Sequence, residues 1–403
     1  MTKTAERFDV AIAGAGPSGL TAAILTASSG FNTALVAPDA PADKRTTALL
    51  GGSVTLLERM GLKEAVADVG AGMHTMRLID DTGRLVRAPE VNFRSSEIGR
   101  EVFGYNVHNE KLNAILTRRI EALPNITRIP ARVSATKADE TGITLTTETG
   151  DEIRADVAVA ADGARSVLRD MAGIDLKTWS YPQTAIVFDI EHQFPHGGVS
   201  IEFHTRSGPF VLVPLPGRCS SIVLVETPET AARLVALDTA ALAAEVEKRS
   251  HSVFGRVAIV SERQAFPLSG ATAKSYATHR VMLVGEAGHR FPPIGAQGLN
   301  LSFRDVGSLV ECLEEARRRR RELGSADTLA AYDKARRTDV ATRAIGVDIM
   351  DRALLADQLP IQVARSLGLF VAGNVPFVRR LMMREGLTPT IGTPRIMRSL
   401  SRG

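Results

Sequence analysis

The chain has 403 residues, 44% hydrophobic and 23% charged, so it can bury a large core and form two domains. Its two cysteines, Cys219 and Cys312, are too few for a disulfide framework and read as apolar fillers, and no 18-residue apolar run suggests a membrane span. The start, MTKTAERFD, is polar rather than signal-like, which points to a soluble, cytoplasmic protein. The net charge of +4 is a mild excess with no aromatic platform beside it, which argues against nucleic-acid binding.

Phe8–Ala13 reads as a buried strand, followed by Gly14-Ala15-Gly16-Pro17-Ser18-Gly19 and a helix running to about Ser29. In such a G-x-G-x-x-G the first glycine allows the tight turn, the second lets a pyrophosphate approach, and the third lets helix and strand pack. The strand before it and the helix after it turn a common hexapeptide pattern into a dinucleotide site. The next strand, Thr33–Val36, should end in an acid that holds the adenosine ribose. Ala37 stands there instead, and Asp39 is the acid within reach.

Further on, Met76–Glu90 reads as a hairpin around Asp80-Asp81-Thr82-Gly83, and Lys111–Ala122 as a helix. Ile126–Val159 carries short strands with turns at Glu140–Gly142 and Gly150, ending on the apolar Val157–Ala160 and the sequence Ala161-Asp162-Gly163-Ala164-Arg165. Strands follow at Thr184–Ile190, Val199–Phe203, Phe210–Pro214 and Ser221–Glu226, the pattern of a mixed sheet. Ala231–Arg249 should be one helix, and Ala258–Phe266 should return to the first layer. Val281–Val284 is another buried strand, ended by Gly285; Gly295 and Gly298 allow close backbone approach, and a helix starts near Leu299–Asn300 with its positive end facing back. Beyond Leu301 the chain is mainly helical. The run Arg317–Arg321 follows Glu311, Glu314 and Glu315 and reads as a solvated helix end. After Pro376, Arg379, Arg380, Arg384, Arg395, Arg398 and Arg402 alternate with apolar residues, which suits either a packed terminal helix or an amphipathic basic surface. No H-E-x-x-H or paired Cys/His spacing suggests a metal.

The three glycine motifs in this order resemble those of the class A FAD-dependent aromatic hydroxylases. The segments Arg45-Thr46-Thr47-Ala48-Leu49, Tyr105–Leu112, Gly208-Pro209-Phe210 and Leu367-Gly368-Leu369 narrow the likeness to the ubiquinone-biosynthesis hydroxylases. The resemblance implies an α/β fold: a Rossmann-like three-layer FAD domain, an inserted mixed β-sheet substrate domain and a helical C-terminal region. The FAD domain would take residues 1–73, 108–178 and 266–340, the substrate strands 74–107 and 179–265, and the helical region 341–403.

It also implies roles. FAD would contact Gly14, Ala15, Gly16, Pro17, Ser18, Gly19, Asp39, Arg45, Asn109, Val133, Asp162, Gly163, Gly285, Glu286, Pro293, Gln297, Gly298, Leu299 and Asn300. Arg45 and Asn109 would hold the pyrophosphate and ribityl region, and the amides of Leu299 and Asn300 would stabilise charge on the reduced ring. Phe203, His204, Phe210, Leu212 and Pro214 are the candidate substrate residues; His289 is read as a structural hydrogen-bonding group, and no catalytic base is named. NAD(P)H and O₂ would be co-substrates, and the substrate a polyprenylated ubiquinone precursor. A multi-enzyme ubiquinone-biosynthesis complex and peripheral contact with the inner face of a membrane, through the Arg-rich C-terminus, are the expected partners. A related FAD enzyme, such as a hydroxylase of small phenols or a prenyl reductase, stays open as an alternative, and the departures Ala37, Ala160 and Glu286 (where the family has Asp) keep open a non-catalytic scaffold with a degenerate flavin site.

Overall fold

The computed structural model describes residues 7–38, 43–84, 87–292, 295–355, 358–387, 389 and 392–398. Asp39 and Pro293 lie outside the described residues.

The chain opens with strand β1 (Arg7–Ala13), helix α1 (Pro17–Ser28) and strand β2 (Thr33–Val36), a βαβ unit whose apolar residues are buried on both sides. Strand β3 (Thr46–Leu50) pairs with β4 (Gly104–His108) in a small antiparallel sheet, and helix α2 (Asn109–Glu121) follows β4 directly. Strand β5 (Glu152–Ala160) then joins β1 in parallel. Next come the long strand β6 (Leu176–His192), β7 (Val199–His204), β8 (Pro209–Leu215) and β9 (Cys219–Glu226), which build an antiparallel platform. Helices α3 (Pro228–Ala236) and α4 (Thr239–Arg249) cover it. Strand β10 (Gln264–Ala273) returns along β6, β11 (Val281–Leu283) re-enters the parallel sheet beside β5, and helices α5 (Gln297–Arg318), α6 (Ala326–Leu355), α7 (Leu359–Asn374) and α8 (Pro376–Leu387) complete the fold.

Two layers result. The first is an eight-stranded sheet with the parallel order β11–β5–β1–β2 and Ile126–Ile129 beyond β2. The second has nine strands and is mixed, because β7 runs parallel to Thr75–Asp80 while its other pairings are antiparallel. The α/β fold expected from the sequence is therefore present.

Two local expectations are corrected. The single helix over 231–249 is broken at Leu237–Asp238, where the Asp238 carboxylate accepts the Ala241 N–H at 2.7 Å and caps a new helix. The segment 258–266 does not go back to the parallel layer. Val257–Ile259 and β10 both pair with β6, so the chain stays in the platform until after Ala273. The arginine run is tied down as a helix end: Arg317 stacks on Phe31, its carbon 3.5 Å from the ring centroid, and donates to the Ser29 carbonyl at 3.0 Å. Both cysteines are free and only partly buried.

Candidate functional site

Three loops meet at the carboxyl ends of β1, β5 and β11, because the register aligns Ala13 with Ala160 and Ala160 with Leu283. The crevice beyond strand ends, where connections diverge, is where open α/β sheets bind ligands.

The glycines of the first loop divide by what constrains them. Gly14 has φ +111°, and a Cβ there would lie 2.2 Å from the Ala161 carbonyl oxygen. A Cβ on Gly19 would lie 1.9 Å from the Gly14 oxygen, so helix α1 cannot pack on the turn with any side chain there. A Cβ on Gly16 would meet no protein atom within 4 Å. Gly16 is also the N-cap of α1 and offers no side chain to the helix's free N–H groups. An uncapped, positive helix end beside open space fits a pyrophosphate.

In the second loop, one carboxylate oxygen of Asp162 accepts the Val167 N–H at 2.8 Å, while the other is buried with no hydrogen-bond partner. Burial pushes the carboxyl above its ordinary range. A buried acceptor without a donor costs free energy, so this atom fits a ligand hydroxyl or N–H. Gly163 follows with φ +83°.

The third loop closes on the first. A Cβ at Gly285 (φ +66°) would sit 3.1 Å from the hydroxyls of both Ser18 and Ser302. The Gly285 N–H donates to Asp305 at 2.8 Å, and His289 bonds the same carboxylate oxygen at 2.7 Å. The other Asp305 oxygen takes the Arg336 guanidinium at 2.6 Å, and Arg336 reaches Asp339, which also binds Arg304 at 2.6 and 2.8 Å. All are buried. Burial alone would raise the Asp305 pKa, but His289 and Arg336 outweigh it and hold it below the ordinary range. His289 thus commits one ring nitrogen to the buried Asp305 carboxylate.

Beside these loops lies a polar cluster. Arg45 makes two bonds to Asp43, at 2.8 and 2.7 Å, and Asn109 donates to Asp43 at 2.9 Å while accepting from Thr47 at 2.6 Å. Asp43, an acid the sequence did not single out, orients both Arg45 and Asn109. Burial would raise the Asp43 pKa, yet the bonds from Arg45 and Asn109 lower it. The Arg45 guanidinium is held protonated first by Asp43 and, more weakly, by the field of the exposed Glu286. Asn300 spends its side chain inside the protein: it accepts from Leu50 N–H (2.9 Å) and Ser53 (2.7 Å) and donates to the carbonyls of Ala48 (2.7 Å) and Ala296 (2.6 Å). It clamps the start of α5 onto β3. Gln297 and Gly298 open that helix, and Leu299 is its third residue. Val133 is buried in the core of the parallel layer, so only its backbone can face a ligand.

The candidate substrate residues need a correction. Phe203, Phe210 and Leu212 are fully buried and pack with Ile186, Ile222 and Leu224 under Ala231, Leu234, Leu242 and Val246 of α3 and α4. They face away from the parallel layer. The opposite parity faces it: Thr46 bonds Ser221 at 2.9 Å and His108 stands 3.8 Å from Asp189. Val187, Val211, Val213 and Val223 alternate with the core residues and share that face. His204 has this parity too, bonded to Glu202 at 3.1 Å, whereas Pro214 contributes its carbonyl, which accepts from Asn106 at 3.0 Å. Among the described residues no group of His, Cys, Asp or Glu is arranged to hold a metal.

The family pattern described as FAD binding domain matches residues 7–346. The chain is a member of this flavoprotein family. It is 32% identical over 403 aligned residues to ubiquinone hydroxylase UbiL of Rhodospirillum rubrum, covering 97% of this chain and 93% of that protein. It is 29% identical to 3-demethoxyubiquinol 3-hydroxylase of Escherichia coli, over 95% of this chain and 99% of that one. Among solved structures, the p-nitrophenol 4-monooxygenase PnpA of Pseudomonas putida superposes with a TM-score of 0.75 at 19% identity, covering 95% of this chain and 98% of that one, a likeness of fold. This flavoprotein is therefore an FAD-dependent aromatic-ring monooxygenase related to the ubiquinone-biosynthesis hydroxylases.

Proposed function

We propose that this flavoprotein hydroxylates the aromatic ring of a polyprenylated ubiquinone precursor, with NAD(P)H and O₂ as co-substrates. The observation that carries the reading is the likeness to UbiL along 97% of the chain, through both the cofactor layer and the platform. Bound FAD would supply transfer of two electrons from NAD(P)H and activation of O₂, one oxygen atom going to the ring and the other to water.

The chain's own residues bind, orient and exclude water. Gly14–Gly19 and the N-terminus of α1 receive the pyrophosphate. The unpartnered Asp162 oxygen takes a donor on the adenosine side. Arg45 and Asn109, braced by Asp43, hold the ribityl region, and Glu286 accepts from a ribityl hydroxyl. The first turn of α5, Gln297–Asn300, directs its free N–H groups at the ring, and the Asn300 clamp keeps that turn in place. The valine-lined face of the platform forms an apolar wall over the site, which keeps water from the reacting ring. A polyprenyl tail stays in a bilayer, so the reading requires peripheral contact with the inner face of a membrane.

The test compares substrates. Purified holoenzyme with NAD(P)H and isotope-labelled O₂ should place one labelled oxygen on a short-chain prenylated phenol, and a strain lacking the chain should accumulate an under-hydroxylated prenylated intermediate. Normal quinone content in that strain, with turnover confined to small unprenylated phenols, would reject this substrate class.

A further inference from the structure

Among the described residues, seven of the twelve exposed large hydrophobic side chains fall within residues 363–382, on the hairpin of α7 and α8. They are arranged by helical spacing. Val363, Leu367 and Phe370 share one stripe of α7, and Phe377 and Leu381 one stripe of α8; Leu367 is 59% and Phe377 70% exposed. The hairpin does not need this stripe to fold. Its inner side is already packed, with Ala372 and Met383 against Val91, Phe93 and Phe103, and Arg379 paired with Glu97 at 2.7 Å.

Charge indicates the occupant. Between Asp357 and Glu385 the chain has no acidic residue and four arginines. Arg380 and Arg384 are exposed, and with Phe377 and Leu381 they occupy positions i, i+3, i+4 and i+7 of one face of α8. An apolar stripe carrying guanidinium groups complements a surface that is apolar below and anionic above. A second copy of the chain is a poorer fit, since a two-fold contact would set Arg380 and Arg384 against themselves. Among the described residues no helix is long and apolar enough to cross a membrane, so the mode is interfacial.

We propose that the α7–α8 hairpin docks on an anionic lipid bilayer, with Val363, Leu367, Phe370, Phe377 and Leu381 at the headgroup–acyl boundary and Arg380 and Arg384 on lipid phosphates. This deepens the reading of a polyprenylated substrate and rests on it only for its purpose. Arg379, basic in sequence, belongs to the inner side and takes no part.

The experiment is flotation of the FAD-loaded full chain with vesicles of phosphatidylcholine containing phosphatidylglycerol, and with phosphatidylcholine alone. Binding is expected to the anionic vesicles and to fall with added salt. The Arg380→Gln, Arg384→Gln pair should weaken it about fivefold per arginine, and the Phe377→Ser, Leu381→Ser pair on the order of tenfold. Flavin content, melting temperature and turnover of a short-chain prenylated phenol are read on each variant. If the serine pair misfolds, the arginine pair, which lies on the surface, still decides. No binding to anionic vesicles, binding unchanged in a folded variant pair, or a concentration-dependent dimer lost in the serine pair would each overturn the proposal. Absence of vesicle binding by the unmodified chain with its short-chain turnover intact counts against the surface alone; vesicle binding by the unmodified chain without turnover counts against the substrate reading alone.

Discussion

Gly16 and Gly19 look alike in a motif but answer to different constraints. Gly19 is required by the protein itself, since its Cβ would overlap the Gly14 carbonyl at 1.9 Å. Gly19→Ala should destabilise the apoprotein by about 1–3 kcal/mol through overpacking. Gly16 has space around it, so Gly16→Ala should leave apoprotein stability within about 0.5 kcal/mol while weakening FAD on the order of tenfold by obstructing the pyrophosphate. Thermal melts of both apoproteins, with flavin titrations beside them, separate the two effects; an equal drop in stability would show that Gly16 is a packing glycine. Asp305 shows a different economy, in which one buried carboxylate holds Gly285, His289 and Arg336. Because its folded pKa is depressed, its stabilisation is present above the unfolded value of about 3.9 and is lost as pH falls toward the folded one. Urea midpoints of the apoprotein should therefore drop below about pH 4. Asp305→Asn should cost about 3–5 kcal/mol at neutral pH, because the buried Arg336 and Arg304 are then left to share the single carboxylate of Asp339, and should flatten that acid dependence. Acid dependence retained in full by the variant would place its source elsewhere.

The platform strands illustrate how a phase error of one residue inverts a face. Leu212 and Val213 are neighbours in β8, yet Leu212 packs under α3 and α4 while Val213 has the parity of the cofactor side. Leu212→Ala should destabilise the protein by about 2–5 kcal/mol with KM for the aromatic substrate unchanged. Val213→Ser should leave the melting temperature nearly constant and raise KM. Chemical denaturation and steady-state kinetics on the two variants test the assignment, and the reverse pattern would restore Leu212 as a pocket residue. Both faces of β6, β8 and β9 carry apolar residues, so hydrophobic alternation alone could not say which face met the helices. The break between α3 and α4 was hidden for a related reason: Leu237 continues the apolar pattern, and only the Asp238 cap reveals the new start.

Polar links tie the two layers and the helical hairpin together. Thr46 reaches Ser221, Asn106 reaches the Pro214 carbonyl, and Arg379 pairs with Glu97, linking α8 to the platform side. The Arg379–Glu97 pair is partly buried, so Arg379→Gln should loosen the hairpin by about 1 kcal/mol. Limited proteolysis of α7–α8 should then quicken about fivefold while flavin content stays the same. Unchanged cleavage would mean that the Val91, Phe93 and Phe103 contacts hold the hairpin without the ion pair.

The glycine loops were readable in the chain because their constraints are local. A tight turn and a close helix each demand glycine at a fixed offset, and three motifs in order carry the resemblance to the FAD-binding family to which the chain belongs. The strand segments were readable too, from runs of apolar residues bounded by turns. Tertiary structure alone decided the rest. Asp43 matters because folding places it against Asn109, far along the chain. The parity of Phe203, Phe210 and Leu212 depends on which face of the platform α3 and α4 cover. The exposed stripe of α7 and α8 exists because their other side is already buried. Each is a relation between distant segments, and residue spacing along one segment carries no record of it.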